Sequence, residues 1–557
     1  MNRADWHTIA EPRLGNQYRD DRVLRNLLAR HLDGSVQGAI EPELDSLGEL
    51  AGGDLYRQQL SELRREPELV QWDAWGHRVD IVRVTPLWQR AERLAAEYGL
   101  IAAGYETRFG AQARLHQFAL AYLFIPATDF YGCPLAMTDG AAFVLHQFAG
   151  DELRQRAMPH LLSRDPTQFW TSGQWMTETA GGSDVSGTET VAREAADGSW
   201  HLQGRKWFTS AVTADMTLTL ARPQGNPDGS RGLALFYAEL RDAQDRLCNI
   251  EVLRLKDKLG TRKVPTAELY LDGLPATPVA GLDQGVARIA PMLNITRTWN
   301  AITCAALMRR GLALAWDYAG RRHAFGGPLS DKPLHRLTLA RVAANFHWVM
   351  QLGFDQVRLL GQYQQADGEA DEDLFRLLTP IVKLASGKAC VASISEILES
   401  FGGAGYVEDT GLPVLLRDAQ VLSIWEGTTN VLSLDLLRAM QQVGGLEPLY
   451  AAIDRNLERA QAAALQPVVE ACRRDAERLR RWTTRADAGQ LEFGARDLAL
   501  TAARAYGLAL LAAQAQFDLE HERGPGAMLA ARLLASGDAF DPATPDSSEC
   551  AELLRSL

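Results

Sequence analysis

QWMTETAGGSDVSGTETV, residues 174–191, is a loop of small and hydroxyl-bearing residues at the entrance to a strand-rich region. Glycines and short side chains let a backbone approach a flat aromatic ligand closely. Thr177 and Ser183 add hydroxyls able to bond ring heteroatoms or phosphate oxygens. Read alone, the TExxGGSD pattern fits equally a turn between strands.

Downstream, SWHLQGRKWFTS, DMTLTLARP, GLALFYAEL, IEVLRL and AELYLDGL alternate and are rich in β-branched or aromatic residues, with Gly, Asp and Pro turns between them. This predicts a β-barrel or sandwich over 165–284. Upstream, VTPLWQRAERLAAEYGL and ARLHQFALAYLFIPA carry apolar residues at three-to-four spacing, and 41–164 reads as a helical domain. Residues 1–40 read as an irregular arm followed by a short helix. Helical periodicity returns over 285–443, with one long helix ending at Gly326-Gly327-Pro328. An Ala- and Arg-rich helical region with a loose or terminally helical tail fills 444–557. Runs of one element type exclude a doubly wound parallel sheet. Neither a GxGxxG after a strand nor a Walker loop is present, so a dinucleotide would need another mode of binding. The fold class expected is mainly α with a central β-domain.

The 557 residues exceed one compact core, and a net charge of −12 excludes a global basic field for nucleic acid. Six dispersed cysteines form no CxxC pair and eleven histidines no HExxH, so no metal site is expected. The cysteines read as reduced structural thiols of a cytoplasmic protein. The polar opening MNRADWHTIAEPR lacks the apolar region of a signal peptide. The Ala-rich stretch 498–517, interrupted by Arg504 and Gln514, reads as a packed helix rather than a membrane span.

Four further segments carry chemistry. GRKWFTS (204–210) follows the first loop by about 20 residues. LRDAQVLSIWEGTTNVLSLDLLR (416–438) sets Glu426 between Trp425 and Gly427 in an apolar context, which would make its carboxyl a usable base. The alternative is a glutamate at a helix N-terminus, with Thr428, Thr429 and Asn430 as capping residues. YAGRRHAFGGPL (318–329) offers Arg322 at a helix end for a pyrophosphate. ESFGGAGYVED (399–409) offers a Gly402-Gly403-Ala404-Gly405 turn for backbone contact with a phosphate or adenine.

In this order, MTETAGGSD, GRKWFTS, RHAFGGPL, ESFGGAGY and WEGT resemble the motifs of the acyl-CoA dehydrogenase family, over roughly residues 60–440. The resemblance implies a helical N-terminal domain, a β-barrel and a helical C-terminal domain, with FAD at their junction, in a homodimer or homotetramer. It implies that Met176, Thr177, Gly182, Ser183, Phe208, Thr209 and Ser210 line the flavin, with Trp425, Thr428 and Asn430. Arg322, Gly402 and Gly403 would approach its pyrophosphate or adenine end. The implied reaction is α,β-dehydrogenation of an acyl-CoA substrate: Glu426 removes the α-proton and flavin N5 accepts the β-hydride. A flavin hydroxyl and the Glu426 N–H would bond the thioester oxygen. An electron-transferring flavoprotein is an implied partner.

Departures refine this picture. Thr296 in LNITR stands where the isovaleryl branch carries its base, leaving Glu426 as the only matched acid. Nitroalkane oxidases carry Asp at the Glu426 position. Ala324 and Glu399 replace two family glutamines. LRLKDKLGTR (253–262), SIWEGTTNVLSLDLLR (423–438) and the extra C-terminal helices are most similar to the AidB-like, alkylation-response subfamily, some of whose members bind duplex DNA. Residues 441–557 hold 13 Arg and 17 acidic residues, a net charge of −4, although ACRRDAERLRRWTTR (471–485) is locally basic. That stretch reads as a DNA-binding patch or as an amphipathic helix with a solvated Arg face.

Overall fold

The computed structural model describes residues 11–365, 371–537 and 546–557. The first ten residues of the expected arm and part of the expected tail, 538–545, lie outside the described residues. The helices are α1 Arg22–His31, α2 Gly34–Gly52, α3 Asp54–Ser61, α4 Pro86–Glu97, α5 Ala113–Phe124, α6 Gly132–Phe148, α7 Asp151–Leu161, α8 Gly285–Arg321 and α9 Pro333–Gln365. They continue with α10 Glu372–Ser400, α11 Leu412–Val421, α12 Thr429–Val443, α13 Glu447–Leu457, α14 Gln466–Arg485, α15 Ala488–Phe493, α16 Ala495–Glu520, α17 Gly526–Ser536 and α18 Ser547–Arg555. The strands are β1 Glu68–Trp72, β2 Arg78–Arg83, β3 Ser172–Trp175, β4 Val191–Glu194, β5 Trp200–Thr209, β6 Met216–Pro223, β7 Ala234–Glu239, β8 Ile250–Leu255, β9 Ala267–Pro278, β10 His323–Ala324 and β11 Gly327–Pro328. The chain is mainly α with a central β-barrel, as expected.

The chain divides into two compact units. One comprises 61–108 and 127–299 and contains the barrel. Its sheet runs β3-β6-β4-β5-β9-β7, and β7 pairs back onto β6, closing a five-strand ring, with β3 paired to β6 and β8 to β9 outside the ring. Closure leaves the ring without unpaired edges. Trp175, Leu202, Phe236, Val252, Leu269 and Leu271 fill the interior.

Residues 68–83 form the hairpin β1–β2 inside the region expected to be helical. Its turn is made by Asp73, whose carboxylate accepts from the Trp75 and His77 N–H groups. The local Asx turn overrides the weak helical period around it. The hairpin is fixed to β8 where Gln71 donates to the Val252 carbonyl and Arg78 pairs with Glu251.

The other unit comprises 1–60, 109–126 and 300–557 and is helical. Within 1–40, the expected short helix is α1, and residues 34–40 already belong to α2. Pro42 lies inside α2, where it removes the bond to the Gly38 carbonyl. The long helix of 285–321 stops five residues short of the expected Gly326, because 323–328 form the two-residue hairpin β10–β11.

Helix α16, the Ala-rich segment, is buried over 83% of its most apolar window, and α10 over 78%. Both are core helices of this unit. α16 packs on α9 at Gly507, where any Cβ would stand 2.0 Å from Trp348 Nε1. The Tyr506 hydroxyl donates to Asp355 at 2.5 Å, and Arg358 pairs with the same carboxylate at 2.8 Å. Burial pushes the Asp355 carboxyl up, but Arg358 and the Tyr506 hydroxyl outweigh it and hold the group below the usual carboxylate range.

Candidate functional site

In the barrel unit, β3 ends at Trp175 and the chain leaves the sheet at Met176 and Thr177. The following loop is tied to β5 where the Trp207 N–H donates to the Thr177 carbonyl at 2.9 Å. Gly182 and Ser183 are exposed, and Met176 and Thr177 half-buried.

The loop is anchored by two residues the sequence reading left without a role. Glu178 and Lys206 are both buried and pair at 2.7 Å. Glu178 also accepts from the Thr190 hydroxyl at 2.5 Å and the Glu189 N–H at 2.6 Å, while Lys206 donates to the Leu220 carbonyl at 2.9 Å. Burial pulls the Lys206 ammonium down, and Glu178 opposes that. Both charges have several hydrogen-bonding partners, the condition under which a buried pair is tolerated. The pair explains why an acid in the first motif and a lysine in the second accompany each other. The signal was the inward position of Lys206 on an otherwise alternating strand.

Phe208 is 49% exposed on β5. Thr209 points the other way, its hydroxyl donating to the Ala267 carbonyl at 2.7 Å, so contact with a ligand would run through its backbone. The Ser210 hydroxyl lies 3.2 Å from that of Thr266. Lys256 stands 3.1 Å from the centre of the Trp207 ring and 4.6 Å from that of Phe208. It also joins Arg205 and Arg254 around the buried Glu268, at 2.6–2.7 Å each. Burial pushes the Glu268 carboxyl up, but the three cations outweigh it and hold the group at about 2.

In the helical unit, Glu426 precedes the N-cap of α12 by two residues. It adopts a left-handed conformation with φ 56°, followed by Gly427 at φ 103°. A non-glycine residue there costs about 1–3 kcal/mol and persists only where its surroundings impose it. Thr428 is the N-cap, without a side-chain capping bond, and α12 begins at Thr429. Glu426 is therefore not a residue of the helix N-terminus. Nor is it enclosed in an apolar setting: the left-handed turn holds it half-buried. Trp425 donates from Nε1 to Asn300 Oδ1 at 3.3 Å, and the buried Lys383 donates to the Gly427 carbonyl at 2.6 Å. Thr428 is half-buried and Asn430 exposed.

Arg322 follows α8 and is exposed, with no carboxylate paired to it among the described residues. Next to it, Phe325 occupies the β10–β11 turn at φ 49° and is 95% exposed. Gly402 and Gly403 open a short 3-10 turn with empty space where their Cβ atoms would stand, and Tyr406 in the same turn is 91% exposed. Glu399 is exposed on the last turn of α10. Thr296 lies buried in α8. Among the described residues, no cluster of three or more His, Cys, Asp or Glu side chains is placed to hold a metal.

These features fit the flavin nucleotide expected from the sequence. In the barrel unit, exposed Phe208 and half-buried Met176 suit a flat apolar ring and Ser183 its polar edges; in the helical unit, Arg322 and the open backbones of Gly402 and Gly403 suit a phosphate or adenine.

Comparison with known proteins gives three adjoining matches. Residues 10–166 match the adaptive response protein AidB N-terminal domain, 173–274 the acyl-CoA dehydrogenase middle domain and 283–441 the acyl-CoA dehydrogenase C-terminal domain. The chain is 41% identical over 522 residues to acyl-CoA dehydrogenase family member 11 of Caenorhabditis elegans, covering 90% of this chain and 84% of that one. It is 33% identical over 429 residues to the AidB protein of Escherichia coli, covering 72% and 76%. The crystal structure of C. elegans ACDH-11 in complex with C11-CoA superposes with a TM-score of 0.92 at 38% identity, covering 98% of this chain and 94% of that one.

Proposed function

The chain belongs to the acyl-CoA dehydrogenase family, and we propose that it is an FAD-dependent oxidoreductase that introduces an α,β double bond into an acyl-CoA thioester, with Glu426 as the base. The observation that carries this reading is the carboxylate of Glu426, held at a strained left-handed turn within the WEGT motif. A backbone fixed in that way sets the direction in which the side chain leaves the chain. Glu426 takes the α-proton, and its backbone N–H stabilises the negative charge that develops on the thioester oxygen. Met176, Thr177, Ser183, Phe208 and Ser210 hold the flavin ring, and Arg322, Gly402 and Gly403 its phosphate or adenine end. FAD, when bound, supplies the hydride acceptor. The C11-CoA complex of the C. elegans protein supports an acyl-CoA as the substrate class. An electron-transferring flavoprotein is the proposed acceptor of the electrons. The test is a panel of acyl-CoAs of varied length and branching added to the oxidised protein: bleaching of the flavin absorbance by at least one is expected, and silence across the whole panel would refute the activity.

The AidB-like subfamily is the finer placement we propose, supported by the match over 10–166 and by the E. coli relative. Its alternative role, binding of duplex DNA, rests on α14, whose Arg473, Arg474, Arg478, Arg481 and Arg485 are exposed. Several are paired within the helix, Arg481 with Glu477 at 2.7 Å and Arg478 with Asp475 at 3.6 Å, which lowers the charge available to phosphates. Salt-dependent retention of duplex DNA, lost in an Arg473/Arg474/Arg478/Arg481→Ala variant, would establish this role. Retention unchanged by those substitutions would exclude α14 as the binding surface.

A further inference from the structure

The turn Leu422–Gly427 is held from two sides by residues that no motif includes. On α10, Lys383 and Gly387 are four residues apart and so share one face. At Gly387 the helix comes so close to the turn that a Cβ would stand 2.9 Å from the Leu422 carbonyl oxygen. One helical turn earlier, the buried Lys383 ammonium donates to the Gly427 carbonyl at 2.6 Å. From α8, the buried Asn300 uses both ends of its amide: Nδ2 donates to the Leu422 carbonyl at 3.0 Å, and Oδ1 accepts from Trp425 Nε1 at 3.3 Å. Three attachments thus bracket the one residue in the segment that has a side chain and a positive φ, Glu426.

We infer that Lys383, with Asn300, is the positioning residue of the reaction: its bond to the Gly427 carbonyl imposes the left-handed turn that aims the Glu426 carboxylate. This rests on the reading of Glu426 as the base. A bond from a charged donor is roughly twice as strong as one between neutral groups, which suits a contact that must hold strained backbone. The bond from Lys383 goes to the backbone of the turn, so its loss should alter where Glu426 points rather than how tightly a thioester binds.

The experiment uses the full-length holoprotein with Lys383→Met and Lys383→Arg. With a thioester that bleaches the wild type, Lys383→Met should lower the rate constant of flavin reduction about 100-fold, the scale set by roughly an ångström of misplacement, with KM and FAD content unchanged. Lys383→Arg, which keeps the charge and donor, should recover most of the rate. A flavin-loaded Lys383→Met protein that reduces at the wild-type rate overturns the inference while leaving Glu426 as base. A second arm needs no turnover. Glu426→Gly removes the cost of positive φ, so it should raise the thermal midpoint in the wild type and raise it less when Lys383 is already Met, where the turn has relaxed. Additive shifts overturn the clamp. Non-additive shifts in a protein that no thioester bleaches support the clamp and refute the reaction assigned to Glu426.

Discussion

Glu426 combines a motif that the sequence displays with a conformation that it does not. WEGT announces an acid beside a glycine, but nothing in those four letters says that the acid takes the left-handed φ and leaves the true helix start to Thr429. The competing reading, a capping-region glutamate, rested on the same Thr-Thr-Asn that follows, and only the backbone separates the two. The expected enclosure also failed at this scale, because burial depends on packing that local apolarity does not report. The role proposed for the side chain has a direct consequence. Glu426→Gln keeps shape and removes basicity, so acyl-CoA-dependent bleaching should fall by about 10²–10⁴-fold, the range for loss of a general base. FAD content and thermal stability should stay near wild type. A Gln variant that bleaches at the wild-type rate would show that the proton leaves to another group.

At the scale of elements, the strands of the barrel and the helices on either side were legible because period-2 and period-3.6 patterns are long there. The hairpin 68–83 and the two-residue hairpin after α8 were not, since each is set by one turn rather than by periodicity. The Glu178–Lys206 pair joining the first two motifs was equally hidden: the two residues lie 28 positions apart, and only the folding of the loop after β3 onto β5 brings them to 2.7 Å. Glu268 on β9 gives this scale its test. Its carboxyl is held near 2, below the unfolded value, by Lys256, Arg254 and Arg205. A depressed carboxyl contributes stability that is present above the unfolded pKa of about 4.3 and is lost as pH falls toward the folded value. The barrel should therefore lose about 1–2 kcal/mol of stability between pH 5 and pH 2 through this group, less than the full shift because Arg205 and Arg254 are half-exposed or more and are screened. In Glu268→Gln that part of the pH dependence should vanish, together with the stability itself at pH 7. Thermal midpoints of both proteins across this range check it, and parallel curves would show that Glu268 ionisation is not linked to folding.

For the whole molecule, the order of helical and strand-rich regions and the absence of a Rossmann signature pointed to the right architecture, whereas which single side chains stay uncovered is written in no pattern of the sequence. Phe325 at 95% exposure and Tyr406 at 91% are large aromatic side chains standing in solvent on turns of the helical unit, each beside a segment proposed to reach a flavin, Arg322 in one case and Gly402-Gly403 in the other. Isolated apolar residues on a surface need no explanation, but aromatic side chains extended this far, at turns with open backbone, suit the core of an interface. We propose that they are covered in a homodimer or homotetramer, where the neighbouring subunit's FAD would meet the same turns. Phe325→Glu combined with Tyr406→Glu should then yield a smaller species in sedimentation velocity, with helical content unchanged and FAD retained less well, since a charge placed in an apolar contact is desolvated without a partner. Substituting either residue alone should give an intermediate, concentration-dependent assembly. A double variant that sediments as the wild type would place the subunit contact elsewhere, and with it the source of any second set of flavin contacts.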